Sequence, residues 1–100
     1  MSETWIKTVL EAKMTCCLLQ AQDAKKELGL ANRWFTHREA MLVLSSFKAG
    51  AARAFLEKLV RLGAFEFLRT WTKKVDFSVF QLTEPAEVKL REELRDIVRT

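Results

Sequence analysis

The residues of this chain best suited to chemistry are its cations. Arg53, Glu57 and Arg61 stand four apart in "AGAARAFLEKLVRLG", so they share one face of any helix formed there. Lys73 and Lys74 are adjacent in "TWTKKVDFS", between two runs that alternate in hydropathy. The candidate contacts are Arg38, Lys48, Arg53, Arg69, Lys73 and Lys74. Such groups, displayed together on short elements, recognise polyanions: arginine offers a planar fork of donors and lysine a compact point charge. The single histidine, His37, has no serine or cysteine nucleophile beside it in sequence and reads as a surface residue in the first turn of a helix.

The charge is segregated along the chain. The total is +4 over 100 residues. Residues 1–32 carry four bases and four acids, residues 33–74 nine bases and three acids, and residues 75–100 four bases and six acids. The middle segment therefore holds +6 between a neutral and an acidic flank. A basic region confined in this way is the electrostatic footprint of a polyanion binder; the plainer reading is a solvated surface.

Other chemistries find little support. The chain has no phosphate-binding glycine loop, no paired-carboxylate motif and no metal-ligand cluster. At this length there is little room for a substrate pocket. A non-enzyme with no cofactor and no metal is expected. Cys16 and Cys17 are adjacent inside a helical pattern, where a mutual disulfide would be strained. Both are expected to be reduced, mostly buried small hydrophobes. No apolar run is long enough to span a membrane, and "MSETWIKTVLEAK" does not read as a secretory leader. A cytoplasmic protein is expected.

The elements that must position the cations follow from hydropathy period. Trp5, Val9, Ala12, Cys16 and Leu19 repeat at helical spacing and predict a long helix over 3–28, with Gly29 as its left-handed cap. Arg33-Trp34-Phe35 reads as a short extended piece. Thr36 stands three residues before Glu39, the capping-box arrangement, and opens a second helix. "SSFKAG" is a turn. Ala52, Phe55, Leu59 and Leu62 then predict a helix over 49–62, ended by Gly63. Beyond Gly63 the period changes to two, and a β-hairpin with a loop of several residues is expected over 65–82. Thr83 and Pro85 open a final helix over 84–99, whose narrow apolar stripe can pack on the body or pair with a partner. The class is mainly α with a small β-hairpin (α+β), in one domain spanning 1–100.

"FTHREAMLVLSSFKAGAARAFLEKLVRLGAFEF" and the later "VFQLTEPA" resemble the winged helix-turn-helix family, broadly the bacterial MarR-, PadR- and ArsR-like regulators. The resemblance covers about residues 33–84, a pattern of residue types and lengths. It implies a helix-turn-helix plus wing over 33–83, flanked by the long N-terminal helix and the C-terminal helix. It also implies sequence-specific binding of double-stranded DNA by a small transcriptional regulator, the partners being DNA and a second copy of the chain through the N-terminal helix, the C-terminal helix or both. The recognition helix would be 49–62, with Arg53 toward bases, Lys48 and Arg38 on phosphate, and Arg69, Lys73 and Lys74 on the flanking backbone or minor groove. Two features depart from the family pattern. "SSFKAGAA" lacks a polar run at the start of the recognition helix, and Glu57 places an acid on the face that would meet DNA. A protein-interaction module on the same fold (an adaptor or inhibitor) and a replication or partition accessory protein are the alternatives.

Overall fold

The computed structural model describes residues 3–29, 34–67 and 79–99. They form α1 (Val9–Glu27), β1 (Phe35–Thr36), α2 (His37–Val43), α3 (Ala49–Arg61), β2 (Phe65–Phe67), β3 (Val79–Leu82) and α4 (Glu84–Arg99). The architecture is mainly helical with a small three-stranded antiparallel sheet, consistent with the expected α+β class.

Local signals set most of the boundaries. Thr36 and Glu39 form a reciprocal capping box, with Thr36 Oγ1 accepting from the Glu39 N–H at 3.0 Å and Glu39 Oε1 from the Thr36 N–H at 3.1 Å. At the end of α3, Gly63 adopts φ +73°. Its N–H donates to Val60 O, and the Ala64 N–H reaches back to Leu59 O at 2.9 Å. This paired closure satisfies two carbonyls that a helix end otherwise leaves bare, and needs a left-handed residue that only glycine adopts without penalty. Thr83 caps α4, accepting from the Ala86 N–H at 3.1 Å.

The long N-terminal helix begins later than the apolar spacing predicts. Thr8 is its N-cap and accepts from the Glu11 N–H, while Glu11 accepts from the Lys7 N–H at 2.9 Å. Residues before it instead cross α4, where Glu93 receives the N–H groups of Trp5 and Ile6 at 2.9 and 2.8 Å. The buried face is also rotated. Met14, Thr15, Leu18, Leu19 and Gln22 point inward, whereas Val9 and Cys16 are exposed. The expectation of a buried Cys16 is thus corrected: polar Thr15 and Gln22 take inward positions, and the Thr15 hydroxyl is satisfied by donating to Glu11 O at 2.8 Å.

The sheet has the order β1-β3-β2. A two-stranded ribbon was expected; the extended piece before α2 adds a third strand. Phe80 sits opposite both Phe35 on β1 and Phe67 on β2, and Phe65 opposite Leu82. These residues therefore share one face. The Phe65 and Phe80 rings lie 4.7 Å apart, tilted by 56°. The face closes a core that includes Leu59 and Ala52 of α3, Ala40 and Leu44 of the α2 segment, Met14 and Leu18 of α1, and Leu90 of α4. Each large apolar side chain fully buried in this way contributes about 1.5–3 kcal/mol. No helix among the described residues is long and apolar enough to cross a membrane.

Candidate nucleic-acid interface

The helix expected to carry recognition is amphipathic in the required sense. Ala52, Phe55, Leu56 and Leu59 anchor α3 in the core. Its opposite face leaves Ala49, Gly50, Arg53, Ala54, Glu57, Val60 and Arg61 exposed. Burial of the first set fixes which way the second set points, so the placement of Arg53 is a consequence of core packing.

Ion pairs centred on α1 join it to α2, α3 and α4, and these decide which cations remain available. Lys58 Nζ lies 2.9 Å from Oε1 of Glu11, tying α3 to α1. Lys25 Nζ reaches Glu39 Oε2 at 3.0 Å and Trp34 O at 2.9 Å, and stands 4.4 Å from the centroid of the Phe35 ring. One ammonium thereby locks the β1–α2 junction onto α1. Lys26 meets the buried Glu87 at 2.8 Å, and Arg91 meets Asp23 at 2.7 Å, joining α1 to α4. Burial pushes the Glu11 carboxyl up, but hydrogen bonds from the Lys7 N–H and the Lys58 ammonium, with that ammonium's charge, outweigh it and hold the carboxyl below its ordinary range. Glu39 behaves alike: burial raises it, and Lys25 with the Thr36 hydrogen bonds more than reverses the effect.

Arg38, Lys48, Arg53 and Arg61 are exposed, and among the described residues their side chains make no ion pair or hydrogen bond. Lys48 and Arg53 lie in the first part of α3, Lys48 at the N-cap. Arg38 is in the first turn of α2, which packs against α3. The i, i+4 spacing of Arg53, Glu57 and Arg61 does not close into an ion-pair ladder. Of the three wing cations, Arg69, Lys73 and Lys74, all lie outside the described residues, as does Trp71.

The start of α3 adds a second anion-favouring feature. Lys48 supplies no side-chain cap hydrogen bond, and the first turn contains no acid. The first turns of α1, α2 and α4 each contain at least one. The free N–H groups and positive dipole end of α3 thus remain uncompensated by a carboxylate.

Sequence spacing placed Arg53 on the exposed face of α3 and Arg38 at a helix start. It did not separate Lys58 from its neighbours, because the pairing with Glu11 depends on how α1 crosses α3. Arg61 is the added cation on the Arg53 face, and its i+8 position was the available signal. No protein-family model matches the chain, and no curated protein or solved structure is significantly similar to it.

Proposed function

We propose that the protein binds double-stranded DNA sequence-specifically, as a small transcriptional regulator, with α3 in the major groove. The observation that carries this reading is the division of the cations. Lys25, Lys26, Lys58 and Arg91 are taken up by interhelical pairs, while Arg38, Lys48, Arg53 and Arg61 gather on α2 and α3, exposed and unpaired among the described residues, against one such cation each on α1 (Lys13) and α4 (Arg95). Arg53 is the residue for guanine O6 and N7, Lys48 is suited to phosphate beside the open N-terminus of α3, and Arg38 to phosphate as an exposed cation of α2. The element order, with β3 between β1 and β2, supports a winged helix-turn-helix in which 65–82 is the wing. In the same proposal the protein acts as a homodimer through α1, α4 or both, supported by exposed Val9 and Leu10 on α1 and Ile97 and Val98 on α4.

The test is a titration of the protein against mixed-sequence duplexes at several salt concentrations. Affinity is expected to fall steeply with salt as counterions are released. Failure to bind any duplex at low salt removes the proposal. A second reading, a protein-interaction module, is favoured by Leu42 on α2 and Val60 on α3, which are 67% and 48% exposed. It predicts one stoichiometric protein partner and no retention on DNA.

A further inference from the structure

We propose that Glu57 is a base-reading residue of α3, accepting a hydrogen bond from the N4 amine of a cytosine near the guanine contacted by Arg53. This rests on the DNA-binding reading and goes beyond it, by naming what the acid on the recognition face selects.

Glu57 lies near the middle of the outward face of α3, four residues from Arg53 and four from Arg61. Among the described residues it pairs with neither, although i, i+4 spacing permits both contacts. Its carboxylate therefore keeps its acceptor capacity open. Gly50 and Ala54, exposed on the same face, are too small to hold the helix off the groove floor.

A carboxylate entering a groove between two phosphate rows is repelled by both, and only a hydrogen-bond donor on a base edge offsets that repulsion. Ionised carboxylates accept and cannot donate. The major-groove donors are the cytosine N4 amine and the adenine N6 amine, and adenine sets the acceptor N7 beside its amine. Adenine thus repels one carboxylate oxygen while pairing with the other. Cytosine is the better match. Four helical residues advance about 6 Å along the axis. Base pairs are spaced by about 3.4 Å. A helix lying along the groove therefore sets the two recognised bases roughly two pairs apart.

The test selects bound sequences from a pool of duplexes with a randomised centre, using the wild-type protein, Glu57→Gln, Glu57→Ala and Arg53→Ala. The wild type is expected to enrich a guanine with a cytosine about two pairs away. Glu57→Gln should move the second preference from cytosine to adenine, because an amide pairs with both N6 and N7. Glu57→Ala should flatten that position by about tenfold and leave the guanine preference in place. Arg53→Ala should lose the guanine and keep the cytosine. Glu57 is exposed, so thermal melts of its variants should overlay the wild type. An unchanged motif in Glu57→Ala overturns the inference and leaves DNA binding standing, as does wild-type binding without base preference. Absence of binding to every duplex overturns both.

Discussion

The Lys58 ammonium lies 2.9 Å from the Glu11 carboxylate, and this contact joins α3 to the start of α1. Both side chains are about four-fifths buried, at 20% and 18% exposure. Glu11 also closes the N-cap region by accepting from the Lys7 N–H. One carboxylate thus serves both the N-cap region of α1 and the contact between α1 and α3.

That contact has a pH signature. Glu11 and Glu39 both have folded-state pKa values below their ordinary value. A depressed carboxylate contributes stability that is fully present above the unfolded pKa and is lost as pH falls through the folded one. Unfolding midpoints in urea should therefore hold above the ordinary carboxylate range of about 4 and drop progressively below it. Glu11→Gln should cost about 1–2 kcal/mol at neutral pH, between the values for exposed and fully buried pairs. Its deficit should shrink in acid, and a deficit independent of pH would contradict the assignment.

Gly63→Ala should destabilise the protein by about 1 kcal/mol. The added Cβ meets nothing within 4 Å, so the cost comes from the left-handed backbone alone. Denaturant melts of Gly63→Ala and Gly63→Asn separate this from a steric effect, since asparagine tolerates the conformation better. Equal losses for the two would count against it.

Thiol labelling reports the rotation of α1. Cys16 is exposed and Cys17 half-buried, both free. Cys17→Ser should keep the fast alkylation phase and Cys16→Ser should lose it. The reverse order would place the helix a third of a turn away from the face described.

Arg38→Ala and Lys48→Ala should weaken duplex binding to a similar degree on every sequence. Each should lower the salt slope by about 1, as expected for a single lost phosphate contact. A slope unchanged in both variants would remove them from the proposed DNA interface while leaving Arg53 to be tested separately.

Much of this protein was legible in its residues. Thr36 and Glu39 marked the start of α2, Gly63 the end of α3, and Thr83 with Pro85 the start of α4. Caps and left-handed turns are local, so they are written in a few adjacent residues. The Thr8–Glu11 spacing was the same kind of signal, and it outweighed the apolar spacing that carried helix back to residue 3.

Long-range partners decided the rest. The inward face of α1 follows Met14, Leu18 and Gln22, because α2 and α4 pack there and the Thr15 hydroxyl finds a backbone acceptor. The third strand exists because Phe80 accepts Phe35 as a neighbour across 45 residues of chain. The division of cations has the same origin. Sequence determined that the middle of the chain is basic and that Arg53 shares a face with Glu57 and Arg61. Only the tertiary structure decided that Lys25 and Lys58 are neutralised by α2 and α1 carboxylates while Arg38, Lys48 and Arg53 stay exposed, because an ion pair forms where helix packing brings two opposite charges within about 4 Å, not where charge is dense along the chain.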